Sequence, residues 1–286
     1  MNLIKPITLL LLLFLALGVQ AQNANETISR KLDFKGNSTN KFLIVENIFG
    51  GISVESHNGT SVLLEVDKEI SADNQSGLDK GKSEVGIKVA YVNGNIHIYP
   101  DTPFSEFDDK TGEFRYTERN RKRGYRYLLN YRIKVPQNIG LQLRAVNDGD
   151  ISVQGVQAKE LNIRNINGAI SMENVTGKTN VNAINKDINI SYSANPAEES
   201  YYKSINGDIN LVLNEDLDAD ISFKSLNGDF YTNIEQVKSR PISNVKKTQG
   251  KKGTKYKWSS NSGFTLGDGG VKLHFDVLNG DVTIKR

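Results

Sequence analysis

The sequence contains no cysteine, which removes disulfides, thiol chemistry and the lipid-bearing cysteine of a bacterial lipoprotein. Histidine is nearly as scarce: His57, His97 and His274 lie far apart and outside any His-Glu-x-x-His arrangement, so a histidine zinc site is not expected. Neither a Gly-x-Ser-x-Gly elbow, a phosphate loop nor a dinucleotide fingerprint occurs. No catalytic, cofactor or metal residues are therefore predicted. Long apolar runs are also missing, since the longest, Leu9 to Leu17, falls well short of the ~18 residues that span a bilayer.

That run follows Lys5 and precedes Gly18-Val19-Gln20-Ala21, the layout of a secretory signal peptide cleaved after Ala21. Residues 22–286 are then expected to form one exported domain in the periplasm or on the outer cell surface, with no later transmembrane segment. Without cross-links, such a domain depends on packing and backbone hydrogen bonds alone.

What the sequence does have is one phrase used again and again. It reads Val146-Asn147-Asp148-Gly149-Asp150-Ile151, Ile166-Asn167-Gly168-Ala169-Ile170, Ile184-Asn185-Lys186-Asp187-Ile188, Ile205-Asn206-Gly207-Asp208-Ile209 and Leu226-Asn227-Gly228-Asp229-Phe230, then Leu278-Asn279-Gly280-Asp281-Val282. The leading aliphatics are 20, 18, 21, 21 and 52 residues apart. Spacing near 20 residues is the mark of stacked units. Ile48-Phe49-Gly50-Gly51-Ile52 is a degenerate copy.

Each phrase is flanked by short alternating strands, as in Glu160 to Arg164 and Ala169 to Met172. Glycine accepts the left-handed backbone of a sharp corner, asparagine tolerates it next best, and Asn or Asp side chains can satisfy backbone groups at the bend. Asn147, Gly149, Asn167, Gly168, Asn206, Gly207, Asn227, Gly228, Asn279 and Gly280 are accordingly read as structural corners. The expected fold is all-β, a β-solenoid (β-helix-like) of ~20-residue repeats. The rival is a sandwich of antiparallel hairpins, because Asn-Gly is also a hairpin turn. The 52-residue interval reads as two units plus an insertion, with residues 271–284 closing the array.

Two basic loops interrupt the pattern, at about 100–126 and 238–270. The net charge is only +3, yet Gly112 to Lys134 holds eight Lys or Arg against two Glu, and Lys238 to Lys257 holds eight against no acid. In the first loop Arg115, Arg119, Arg121, Lys122, Arg123 and Arg126 interleave with Tyr116 and Tyr125. Export argues against nucleic acid as the partner and for an anionic glycan, lipopolysaccharide, membrane surface or protein. The competing reading is a solvated loop, partly neutralised by Asp101, Glu106, Asp108 and Asp109. The second loop reads as a solvated lysine tract. Asp150, Asp208, Asp229 and Asp281 supply too few oxygens per unit for a calcium ladder, leaving Leu266-Gly267-Asp268-Gly269-Gly270 as the most calcium-like spot.

Between Asp67 and Ser83 the polar composition with two glycines predicts the chain's short helix. Asn93-Gly94 predicts a hairpin or corner.

The signal peptide followed by tandem Ile205-Asn206-Gly207-Asp208-Ile209 and Leu226-Asn227-Gly228-Asp229-Phe230 units resembles the "putative adhesin" family of bacterial envelope proteins, a domain of unknown function, best over 141–286. That resemblance implies a β-helical fold and an adhesive role at the cell surface. It also implies an envelope-stress role, because members are often encoded near sigma and anti-sigma factors. The expected function is a non-enzymatic envelope protein presenting an extended interaction surface. A carbohydrate-active lyase or hydrolase is the alternative, since such enzymes also use β-helices.

Overall fold

The computed structural model describes residues 22–36, 41–118, 123–214, 217–234, 237–239, 246–250, 253–257 and 262–286. Residues 1–21, where the sequence predicts a signal peptide, lie outside them. Four strands come first: β1 (Gln22–Leu32), β2 (Phe42–Glu46), β3 (Ile52–His57) and β4 (Val62–Ala72). Helix α1 (Gln75–Glu84) follows, capped by the Asn74 side chain, which accepts from the Gly77 N–H at 2.9 Å. Next are β5 (Gly86–Val92), β6 (Asn95–Asp101), β7 (Ser105–Phe107), β8 (Phe114–Tyr116) and β9 (Arg126–Pro136).

The phrase region holds β10 (Gly140–Ala145), β11 (Ile151–Gln154), β12 (Gln157–Asn165), β13 (Ile170–Ala183) and β14 (Ile188–Tyr192). It continues through β15 (Ser200–Ser204), β16 (Ile209–Val212), β17 (Ala219–Asn227) and β18 (Phe230–Thr232). The chain ends with β19 (Val237–Ser239), β20 (Lys246–Gly250), β21 (Gly253–Lys257), β22 (Ser262–Leu266), β23 (Val271–Asn279) and β24 (Val282–Lys285).

The protein is all-β apart from α1 among the described residues, and its main sheet curls on itself as two ladders. The helix and the Asn93-Gly94 hairpin form where the sequence predicts them, the latter with φ of 53° and 81°. Across the phrases the pairing is parallel, so the antiparallel hairpin arrangement does not form there. The first ladder runs β9, β3, β11, β13, β14, β16, β24, β18. Its register aligns Tyr131, Ile52, Ile151, Ile170, Ile188, Ile209, Val282 and Phe230 in one inward column, every member at most 1% exposed. The second ladder runs β6, β2, β10, β12, β13, β15, β23, β17, with Leu143, Ile163, Val181, Tyr202 and Phe275 in its column.

Burying each such aliphatic side chain is worth about 1.5–3 kcal/mol, which is how a chain without cysteine holds together. β13 belongs to both ladders: Ile170 to Met172 pair in the first and Thr179 to Ala183 in the second. It turns between them at Asn174 (φ 53°) and Gly177 (φ 107°).

The phrase copies meet as one corner column. The Asn167 amide donates to Asn147 at 2.6 Å, Asn185 to Asn167 at 2.6 Å and Asn206 to Asn185 at 3.1 Å. Asn279 then donates to Asn206, and Asn227 to Asn279, both at 2.9 Å. Beside it, each Asp accepts a backbone N–H from the strand stacked upon it: Asp187 from Asp208, Asp208 from Asp281 and Asp281 from Asp229, at 2.8–2.9 Å.

Two sequence expectations change here. The last unit does not close the array: β23 and β24 slide between β15/β16 and β17/β18, so Leu278-Asn279-Gly280 sits inside the stack. The end is instead covered by β19 to β22, which the 238–270 insertion supplies as antiparallel strands. The corner glycines are also needed for a different reason. Gly149, Gly168, Gly207 and Gly228 do not have positive φ, and only Gly280 (151°) among the six-copy glycines does. What they lack is room, since a Cβ on Gly168 would sit 1.9 Å from the Gly149 carbonyl oxygen and one on Gly228 1.8 Å from that of Gly280. Where Lys186 replaces the glycine, the column continues through its neighbours.

Candidate binding site

The described part of the 100–126 excursion, residues 100–118 and 123–126, folds back onto the sheet. Asp108 tightens its turn by accepting from Lys110 and Thr111 N–H at 2.8 and 3.2 Å, and these bonds hold its carboxyl below the usual range. The turn lets β7 and β8 pair, and their aromatics settle on the second ladder's outer face. Phe107 stacks on Tyr99 at 4.4 Å, Phe114 tilts against it at 5.6 Å, and Ile48 is buried with them. His97 is 6% exposed beneath Phe107, and that burial lowers its pKa.

The eight residues singled out for an anionic partner separate accordingly. Arg115 makes a fork with Glu113 at 2.8 and 3.1 Å. Tyr116 is partly buried against Phe104 and Phe49 and donates to Glu118 at 3.3 Å; burial is the main cause of its raised pKa. Tyr125 is buried and donates to Glu84 at 2.7 Å, and burial first, then Glu84, pushes its hydroxyl upward. Arg119, Arg121 and Lys122 lie outside the described residues.

Arg123 and Arg126 do come together. Arg123 pairs with Glu118 at 2.7 Å while its guanidinium lies 4.7 Å from the Phe49 ring centroid and 5.5 Å from that of Tyr127. Its side chain is 16% exposed. Arg126 opens β9 and stays exposed, in register with Ser71 of β4, which is itself opposite Asn23 of β1. These strands, the excursion and the Asp148 corner surround a cleft of about 630 Å³. Phe49 and Tyr127 supply its aromatic wall, Asn23 and Asn25 its amides, and Glu69 and Asp148 its carboxylates.

Phe49, Glu69, Asp148 and the two asparagines escaped the sequence reading because four separate segments deliver them. The available signal was Phe49, which stands where the degenerate phrase copy should have its asparagine and bridges to Asn147. Arg126, Glu69 and Asp148 give the cleft charges of both signs, suited to a polar ligand with hydrogen-bonding groups and an apolar face. Among the described residues no group of three or more His, Asp or Glu is placed to hold a metal. At the calcium-like turn, Asp218 accepts the Asp268 N–H at 2.9 Å and Lys238 pairs with Asp268 at 3.3 Å. No helix among them is long and apolar enough to cross a membrane.

The fold and cleft define a class, an all-β protein whose curled sheet carries an open surface site. Residues 140–265, which cover most of the phrase region, match the family described as Toastrack DUF4097. No curated protein matches the chain. A solved structure described as a "putative cell adhesion protein" from Clostridium sporogenes is similar at 12% identity and TM-score 0.42, covering 92% of this chain and 99% of that one. A "putative adhesin" from Bacteroides fragilis is similar at 11% identity and TM-score 0.29, covering 91% and 96%.

Proposed function

We propose that the protein is an exported, non-enzymatic component of the cell envelope, adhesin-like in role, built as a β-solenoid of ~20-residue rungs that presents binding surfaces. In-register parallel pairing of Ile151, Ile170, Ile188 and Ile209 supports the solenoid reading. The observation that carries the function is the convergence of Arg123 and Arg126 with Phe49 and Tyr127 in one open cleft. Arg126 has no ion-pair partner among the described residues and lines the cleft exposed, so it is the group that meets an envelope glycan, lipopolysaccharide or protein partner there. Pull-down on purified lipopolysaccharide and envelope glycans tests this. Arg126→Glu is expected to lower retention by about tenfold, the loss of one charge-assisted contact. Equal retention of both proteins removes the cleft from the function.

One observation keeps the enzymatic alternative in view: Glu69 and Asp148 line the same cleft. A carbohydrate-active enzyme would release new reducing ends or unsaturated products from polysaccharides, and Glu69→Gln would abolish them. The non-enzymatic reading expects no product from the unaltered protein.

A further inference from the structure

We propose that Asn58-Gly59, in the turn between β3 and β4, is a self-modifying site with His57 as its general base: the asparagine side chain closes onto the glycine nitrogen, releases ammonia and reopens as aspartate or isoaspartate. This goes beyond the binding role and does not depend on it.

β3 ends at His57 and β4 begins at Val62, so residues 58–61 form the connecting turn. Asn58 and Gly59 are exposed there, and the Asn58 side chain makes no hydrogen bond among the described residues, which leaves it free to swing over the peptide that follows. Glycine at 59 removes the side chain that would block this approach. The His57 imidazole folds back over the turn. Its Nε2 lies 2.8 Å from the Ser61 carbonyl oxygen, which can only accept, so Nε2 carries the proton and Nδ1 keeps a free lone pair. The Gly59 N–H donates to that Nδ1 at 3.2 Å. A Cβ at position 59 would sit 2.4 Å from the His57 Cε1, so the ring lies this close only over glycine.

That N–H is the one the reaction must deprotonate. The Gly59 nitrogen attacks Cγ of Asn58 as its proton passes to His57 Nδ1. A five-membered succinimide closes, the Cγ–Nδ2 bond breaks, and the proton goes on to the departing amine, which leaves as ammonia. Water then adds to either succinimide carbonyl. Opening on one side restores the ordinary backbone with an aspartate side chain, and opening on the other leaves isoaspartate, with one extra methylene in the chain. Either way a neutral amide becomes a carboxylate on the rim of a depression of about 480 Å³ that Lys41 also lines. The other five Asn-Gly pairs of the chain lack this arrangement. Asn167, Asn206, Asn227 and Asn279 hold their amides in the corner column. Asn93-Gly94 is fixed as a two-residue hairpin turn, and the Gly94 N–H has no side-chain acceptor among the described residues.

The test is peptide mapping by mass spectrometry of the purified full chain during incubation at neutral pH, with isoaspartate detected by enzymatic methylation. Asn58 is expected to convert at least about tenfold faster than any of the other five pairs, and at least about tenfold faster than in the same chain unfolded in urea, where the base is no longer positioned. His57→Ala should slow conversion at Asn58 by at least about tenfold, and added imidazole should restore part of the rate. A ring that only braced the turn would give the opposite result, since its removal would loosen Asn58-Gly59 and speed the reaction. Arg126→Glu, in the cleft, should leave the rate unchanged. Circular dichroism confirms that His57→Ala folds, and the comparison with urea needs no variant. Conversion at Asn58 no faster in the folded chain than in urea, a rate in His57→Ala that is unchanged or higher, or a His57→Ala rate that imidazole does not raise overturns the proposal.

Discussion

Asn279 donates its side-chain amide to Asn206, seventy-three residues earlier, and receives one from Asn227 at 2.9 Å. Asn206 and Asn227 belong to consecutive phrases in sequence, yet they do not touch through these amides, because the chain's last unit lies between them. Every strand from β17 to β22 therefore reaches the rest of the stack through residues 271–286. Residues 271–286 are thus an internal tie.

Removal of residues 271–286 is predicted to detach 217–266 from the stack while leaving β10 to β14 folded. Deletion strips β15 and β16 of their partners on one side and exposes Tyr202 and Leu211, which are each 1% exposed in the whole chain. Limited proteolysis checks this: cuts should concentrate after residue 213 in the truncated protein and be absent there in the full chain. Uniform protection in both would show that the unit at 226 can close the gap by itself.

Gly168→Ala is predicted to be far more costly than any change at Lys186, the equivalent position one unit on. The added methyl would meet the Gly149 carbonyl oxygen at 1.9 Å, and the stacked backbones leave no flexible side chain to move aside. Overpacking of this kind costs about 1–3 kcal/mol or more, whereas Lys186→Ala, at an exposed corner, should stay within about 0.5 kcal/mol. Urea denaturation midpoints of the two variants decide it. A small effect at Gly168 would mean that the units can spread apart.

Much of the ladder was legible in the sequence, and for a physical reason. Parallel in-register pairing places like residues on like, so Ile151, Ile170, Ile188 and Ile209 had to recur at the same point of each phrase. The order of stacking was not legible, because equivalent phrases fit equally well beside one another and nothing in Leu278-Asn279-Gly280-Asp281 says which neighbours it takes. The role of the glycines was misattributed because a left-handed turn and a close approach both select glycine. Of the eight basic-loop candidates, Arg115 and Tyr125 are tied to Glu113 and Glu84, pairings set by how the excursion folds back and invisible to composition. Glu69 and Asn23 reach the cleft only through the antiparallel register of β1, β4 and β9.

Glu46 should make stability depend on pH in a defined window. Burial pushes its carboxyl from 4.5 up to about 7, against the opposing pull of Arg144 and Arg164, and the Arg144 guanidinium stands 3.7 Å away. Between pH 4.5 and 7 the folded protein keeps a proton that the unfolded chain has already released. Stability contributed by this group therefore falls as pH rises through that window, and levels off above it. Glu46→Gln replaces the carboxyl with a neutral group of the same shape. It is predicted to be more stable than the unaltered protein at pH 8 by roughly 1–3 kcal/mol, with the difference vanishing at pH 4.5 and below. Urea midpoints at the two pH values measure it. A Glu46→Gln protein that is less stable at pH 8 would show instead that the ionised carboxylate and its two arginines stabilise the fold by more than its burial costs.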